Sequence, residues 1–247
     1  METNRYIDGT YLEKVTDWHA GDSPWKASKI LQMLEKNNLK PKSIYDVGCG
    51  AGEILVELQK RMDEETELCG YDISPQAISI SKKKQNDKLR FYNEDFLTSN
   101  ASPPDLLLLL DVFEHVPDYM GFLDVLRIKV DWILFHIPLD IAARELLRRS
   151  EYMLYMREKF GHLHYFTKDT ALATLRDVGY EIIDYYYTDD AETAVKAPRR
   201  LKQKLNYKLR KFVFYWKPDL AASLWSNFNI MVLARGDIRS ERRTSKV

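Results

Sequence analysis

Ten residues, Ile44 to Glu53 (IYDVGCGAGE), constrain this chain more than any other stretch. Ile44, Tyr45 and Val47 read as a short buried strand. Gly48, Gly50 and Gly52 follow as a turn in which φ can be positive and no Cβ blocks a ligand. Glu53 then opens an apolar-periodic run, Ile54, Leu55, Val56 and Leu58, that reads as a helix. Strand, glycine turn and helix N-terminus in that order form the place where an α/β sheet takes a nucleoside-like ligand. Three glycines at this spacing arise by chance in roughly 8% of chains of this length, so the context carries the argument. About 20 residues on, a second strand ends in an acid, Leu68-Cys69-Gly70-Tyr71-Asp72. An acid there can accept both hydroxyls of a ribose.

The turn discriminates among ligands. A dinucleotide fingerprint wants glycine where this chain has Glu53, and a pyrophosphate at this helix N-terminus would meet that negative charge. No Gly-Lys-Ser/Thr occurs, which excludes a P-loop. S-adenosylmethionine (SAM) carries no phosphate. It has a ribose, an adenine, an amino acid and a sulfonium, and an acid-rich pocket suits it. Asp46, Glu53, Asp72, Asp95 and Asp111 all fall at predicted strand ends or in the turn.

With DVGCGAGE at 46–53, GYDISPQAI at 70–78, NEDF at 93–96, DLLLLLDVFEHV at 105–116 and GHLHYFTKDTALATLRDVGY at 161–180, the chain resembles a class I SAM-dependent methyltransferase of the type that modifies small molecules. The resemblance spans roughly residues 24 to 190. It implies SAM as cofactor, a Rossmann-like sheet, and cofactor contacts from Asp46, Gly48, Gly50, Gly52, Asp72, Ile73, Asp95, Phe96, Asp111 and Val112. Asp95 would accept from the adenine amino group and Phe96 would lie against the ring. Without the resemblance, Asn93 to Asp95 read as an ordinary turn after a strand.

The chain in order predicts a single α/β domain over 24–237, a seven-stranded, mostly parallel sheet with helices on both faces and its last strand antiparallel. Residues 1–23 are polar with scattered aromatics and read as an arm, or as a lid that brings Trp18, His19 and Trp25 to the ligands. An aromatic face near a sulfonium is favourable by roughly 0.5–2 kcal/mol. Ser23-Pro24 and Ser74-Pro75 read as helix starts. The run Lys82 to Lys84 reads as a solvated helix end. Leu106 to Leu110, with no alternation, is a strand buried on both faces. Pro138 is expected to stop strand five, and Ile141 to Phe160 to form one long charged helix. Thr167 caps the next helix and Gly179 ends it. The acceptor site is expected in 139–166, where this family inserts such structure. Residues 238–247 read as a disordered tail.

Methyl transfer is an in-line displacement, and alignment alone can supply up to roughly 7–11 kcal/mol. A base is needed only when the acceptor must lose a proton. His115, after strand four, is the first candidate, with His162, His164 and Glu114 behind it. No metal is expected. CxxC and HExxH are absent, and Asp111, Glu114, His115 and Asp118 crowd into one loop.

Lysine plus arginine equals aspartate plus glutamate, 37 each, so no global charge points to nucleic acid. The lack of an Asn-Pro-Pro-Tyr-type motif argues against base methylation. Cys49 and Cys69 fit a reduced, cytoplasmic chain, and METNRYIDGTYLEK lacks the apolar run of a leader. One stretch is polarised. Residues 193–217 hold no acid, and Lys196, Arg199, Arg200, Lys202, Lys204, Lys208, Arg210 and Lys211 alternate with Leu201, Leu205, Leu209, Phe212 and Trp216. The plain expectation for about 195–216 is a helix packed on the sheet with a solvated basic face. The sharper one is peripheral contact with an anionic membrane or a phosphorylated acceptor. The reading is thus an O-methyltransferase for a metabolite, glycan or lipid-linked precursor. A non-catalytic binding protein and an NAD- or nucleotide-sugar-dependent enzyme stand as alternatives.

Overall fold

The computed structural model describes residues 4–10, 20–147, 151–190, 192 and 201–236. In chain order the elements are α1 (Asn4–Ile7), α2 (Ser23–Lys36), β1 (Ser43–Val47), α3 (Glu53–Gln59), β2 (Glu67–Tyr71), α4 (Pro75–Ser81), β3 (Leu89–Tyr92), β4 (Leu106–Leu110), α5 (Tyr119–Lys129) and β5 (Trp132–Leu139). Then follow α6 (Ala143–Leu147), α7 (Tyr152–Lys159), α8 (Lys168–Val178), β6 (Glu181–Asp189), α9 (Leu201–Trp216), α10 (Pro218–Leu224) and β7 (Phe228–Arg235).

The seven strands form one sheet in the order β3-β2-β1-β4-β5-β7-β6. β7 runs antiparallel to both β5 and β6, and the other neighbours are parallel. The predicted architecture holds. Strand order reverses between β1 and β4, and that switch point is where such a sheet opens a crevice at its carboxyl ends.

The leucine run explains the two layers. Leu107 and Leu109 join a core with Leu123 and Leu126 of α5 and Ala171, Leu172 and Leu175 of α8. Leu106, Leu108 and Leu110 join the opposite core with Ile30 and Met33 of α2 and Leu55 and Leu58 of α3. Successive strand residues face opposite sides, so an unbroken apolar run is what burial on both faces requires.

Several local expectations hold. Ser74 accepts from the Ala77 amide, Thr167 and Thr170 form a reciprocal cap, and Gly179 ends α8 with φ of 104°. Others need correction. α2 begins at Ser23 itself, and Asp22 before it makes no side-chain cap bond. β5 runs through Pro138 to Leu139. The reason is one of register. The His136 carbonyl still accepts from Asp111 on the β4 side, so the nitrogen of Pro138 faces the side where β4 has already ended. The missing N–H therefore breaks no ladder bond. The helix expected over 141–160 is two helices, α6 and α7. Lys84 is not merely solvated, because it bonds Glu53 and the Ala51 carbonyl.

The largest correction concerns α9. Its basic face is not simply solvated and its apolar stripe is not packed on the sheet. Arg210 is buried, pairs with Asp189 at 2.8 Å and lies 3.9 Å above the centre of the Phe228 ring. Leu201, Leu205, Leu209, Phe212 and Trp216 are exposed instead. Lys196, Arg199 and Arg200, the Lys202 side chain and the 238–247 tail lie outside the described residues. So do Trp18 and His19.

Candidate active site

The glycine turn is built as the sequence implied. Gly48, Gly50 and Gly52 have φ of 78°, 52° and 80°. A Cβ on Gly48 would sit 2.6 Å from a Val112 methyl, and one on Gly52 would strike the Phe91 ring. Glycine is thus required both by conformation and by the packing behind the turn. The Gly48 amide donates to the Tyr71 carbonyl at 2.8 Å, which stitches the turn to the end of β2. Asp72 stands beside it. One oxygen accepts from the Gly50 amide and the other from Ser74, both at 2.8 Å. Burial raises its carboxyl above the usual range while these two amides pull the other way.

Glu53 opens α3 as expected, but Lys84 neutralises it at 2.5 Å. Glu53 therefore repels a pyrophosphate less than its sequence position suggested.

Under the turn lies a charged floor. Asp46 is almost wholly buried, and burial, then the nearby Asp72, push its carboxyl up to about 8. Asp111 has φ of 54°, a left-handed conformation uncommon for a non-glycine and often found at functional sites. Lys26 of α2 reaches one of its oxygens at 2.5 Å, and Nδ1 of His136 reaches the other at 2.6 Å. Burial would raise the Asp111 carboxyl, but His136 and Lys26 together outweigh it and hold it well below the ordinary value. The far nitrogen of His136 contacts the Thr188 hydroxyl at 2.8 Å. One polar chain therefore ties α2, the loop after β4, β5 and β6. Sequence reasoning missed Lys26 and His136. His136 alone carried a signal, as a polar residue inside an apolar strand.

The third part of the site gathers residues distant in sequence. The amides of Leu163 and His164 both donate to the Glu114 carbonyl, at 2.8 and 3.1 Å, and pin 161–164 against the loop after β4. The His115 and His162 rings stand 5.0 Å apart, edge to face. Nδ1 of His162 meets Asp140 at 2.6 Å, and the other Asp140 oxygen accepts from the Tyr152 hydroxyl. Burial, then the neighbouring His162, depress His115 to about 3, so its ring is neutral. The Glu114 carboxylate is fully buried with no hydrogen-bond partner among the described residues. Burial, then Asp111, raise it well above the usual range. Ligand atoms of Glu114, His115 and His162 lie within 4.8 Å of one another, a set that could hold a divalent cation. Their sequence separation hid that grouping.

These parts line one cleft of about 960 Å³. That is the upper end of the range that encloses a drug-sized molecule. Asp46, Gly48, Gly50, Gly52, Asp72, Ile73, Asp111 and Val112 border it, as do Glu114, His115 and His162. Tyr6, Tyr155, Met156 and Phe160 add apolar wall. Tyr6 comes from the N-terminal segment. The Arg5 guanidinium donates to the carbonyls of Arg157, Glu158 and Lys159, and Gln76 donates to the Ile7 carbonyl. The segment thus spans from α7 to α4.

Five residues singled out in the sequence stand elsewhere. Phe96 is buried against Tyr71 and Tyr45, with the Lys129 ammonium 4.5 Å from its ring centre, so its ring belongs to the core. Asp95 accepts from the Leu97 amide in the turn after β3. His164 bonds the Val116 carbonyl through Nε2 and packs on Tyr119 at 4.4 Å. Trp25 donates to Glu192 rather than lining the cleft. Asp118 caps α5 through the Gly121 amide.

Comparison with known proteins agrees with this geometry. The sequence profile described as "Methyltransferase domain" matches residues 19–185. A ubiquinone biosynthesis O-methyltransferase of Actinobacillus pleuropneumoniae serotype 5b is 26% identical over 182 residues, 63% of this chain and 76% of the relative. Among solved structures, magnesium protoporphyrin IX methyltransferase (ChlM) from Synechocystis PCC 6803 with bound SAH superposes with a TM-score of 0.57. It covers 90% of this chain and 86% of its own length at 14% identity. The N-methyltransferase NodS from Bradyrhizobium japonicum WM9, with S-adenosyl-L-homocysteine (SAH), gives 0.53 over 86% of both chains at 14% identity.

Proposed function

The chain belongs to the methyltransferase-domain family and is a SAM-dependent methyltransferase; from that premise we propose that it methylates a hydroxyl of a small molecule, with His162 as the base. The relatives named above are methyltransferases, which favours this reading over the dinucleotide-dependent and non-catalytic alternatives.

The residues around the turn fit SAM. Asp72 presents a carboxylate held by two amides, which suits a ribose diol. Asp46 offers a buried carboxyl and Lys26 an ammonium to the polar ends of an amino acid. SAM supplies a methyl group on a good leaving group.

One observation carries the O-methylation reading, the contact of Asp140 with Nδ1 of His162 at 2.6 Å. A carboxylate there accepts the Nδ1 proton and leaves the lone pair on Nε2. That nitrogen can take the acceptor's hydroxyl proton as the new oxygen–carbon bond forms. The resulting imidazolium is stabilised by Asp140. The neighbouring His115, being neutral, does not repel that charge. The Actinobacillus relative, an O-methyltransferase, supports the same atom.

The test is SAH formation from SAM across phenols, catechols, hydroxy acids and sugars, with amines as the comparison. Turnover on hydroxylated members that collapses in His162→Asn supports the reading. Turnover on amines alone, or a fully active His162→Asn, contradicts it.

A second reading rests on the buried Glu114 carboxyl, which has no hydrogen-bond partner among the described residues. A divalent cation on Glu114, His115 and His162 would satisfy it and could hold the acceptor oxygen. Stabilisation of the purified chain by zinc or manganese, absent in Glu114→Gln, would favour this second reading.

A further inference from the structure

The helix α9 shows solvent the wrong side for a helix that only packs on a sheet. Its inner side is well occupied. Phe214 stacks on Phe228 with centroids 5.0 Å apart, Val213 packs on the same core, and Asn206 accepts from the Trp225 indole. Arg210, on that same side, pairs with Asp189 and donates to the Asn227 carbonyl at 3.0 Å. These contacts fix the rotation of the helix.

The outer side is therefore held outward. Leu201, Leu205, Leu209, Phe212 and Trp216 recur at helical spacing and are 83, 69, 51, 64 and 69% exposed, and Tyr215 beside them is 80% exposed. Soluble monomers rarely present contiguous apolar stripes of this kind without a use for them. Lys204, Lys208, Lys211 and Lys217 are exposed along the same helix and just after it. No aspartate or glutamate occurs between residues 193 and 218, in a chain whose charges balance overall.

We propose that α9 docks the enzyme on an anionic lipid surface. The helix lies in the interfacial plane, its leucines and aromatics among the upper acyl chains and its lysines at the headgroups. Lysine stems can lie along the apolar stripe while their ammonium groups reach anionic phosphates. Each basic residue near such a surface adds to the attraction within a Debye length. The charge pattern selects this occupant over a second copy of the chain, because two α9 helices would bring lysines against lysines with no acid in either helix, and among the described lysines of α9 only Lys211 meets a nearby one, Glu192 at 3.6 Å. No helix among the described residues is long and apolar enough to cross a membrane, so the contact is peripheral. The inner side of the same helix holds Asn227 and Phe228, which line the cleft, so docking brings the lipid surface to an element that supports the acceptor site.

The test is flotation with vesicles of phosphatidylcholine alone and of phosphatidylcholine mixed equally with phosphatidylglycerol. Tryptophan fluorescence is followed in parallel, with Trp216→Phe to isolate the part from Trp216. The full chain is expected to float with the mixed vesicles, to shift its emission to shorter wavelength, and to be released by salt. Leu205→Asp with Phe212→Asp, and separately Lys204→Glu with Lys208→Glu, should each weaken association at least tenfold. Both pairs are exposed, and an unchanged melting temperature with SAH verifies folding. No association of the wild type with mixed vesicles overturns the proposal. So does association unaffected by either pair, or a stable dimer that Leu205→Asp with Phe212→Asp dissolves.

Discussion

Asp140 touches Nδ1 of His162 at 2.6 Å, and both side chains are buried in the wall of the cleft. The pair joins the end of β5 to the segment before α8, so the proposed base and the carboxylate that would orient it come from different elements. His162→Ala is predicted to lower kcat by roughly 10²–10⁴, the usual range for a general base. Asp140→Asn should lower kcat as well, because an amide can stabilise the wrong tautomer. Binding of SAH should stay within a few-fold in both. Steady-state rates on whichever acceptor gives turnover, with titration of SAH, check this.

Asp46 sets a pH dependence. Its folded-state carboxyl, pushed up to about 8, keeps a proton that the unfolded chain releases near 3.8. Between those values the folded state holds more protons. Its contribution to stability is complete below about 4 and is lost as pH rises through 8. Asp46→Asn keeps a neutral side chain throughout. The variant should therefore gain melting temperature relative to wild type as pH goes from 5 to 8. A constant difference would contradict the assignment.

Arg210 anchors α9 from beneath. It and Asp189 are 7% and 10% exposed, so removing the cation takes an ion-pair partner from a buried acid. Arg210→Ala is predicted to destabilise by about 3–5 kcal/mol. Arg210→Met, which keeps volume over Phe228, should differ little from alanine if loss of the ion pair to Asp189 dominates. It should recover much of the loss if packing dominates. Thermal melts of both variants decide between the two causes.

Gly52 cannot be replaced quietly. Its φ of 80° and the Phe91 ring behind it leave no room for a methyl group. Gly52→Ala should lose roughly 1–3 kcal/mol from backbone strain alone. The same change at Gly21, where no described residue lies near the position of a Cβ and φ is ordinary, should be close to neutral. Chemical denaturation of the two variants gives the comparison.

Much of this was legible in the sequence because the signals are local. Three glycines after a strand, five consecutive leucines, and serine or threonine before a helix each report a short-range constraint. The polar chain through Lys26, Asp111, His136 and Thr188 has no such signature, since four elements must fold before its members meet. Asp140 escaped for the same reason. Phe96 misled because the residue beside a strand-end acid can turn either to the cleft or to the core, and here the space beside Tyr71 took it. The periodicity of α9 marked its stripe correctly but carried no information about direction. A buried arginine with an acid to meet it, Asp189, turned the helix the other way.

The most direct test of the central claim is calorimetric titration of SAM and SAH into the wild type and Asp72→Ala. Hydrogen bonds to a charged group are worth about 1.5–3 kcal/mol, or roughly 10- to 150-fold in Kd. The account predicts that the wild type binds both ligands and that the variant loses at least tenfold for each. A wild type that binds neither, or a variant that binds as tightly as the wild type, would contradict the placement of the cofactor over Asp72.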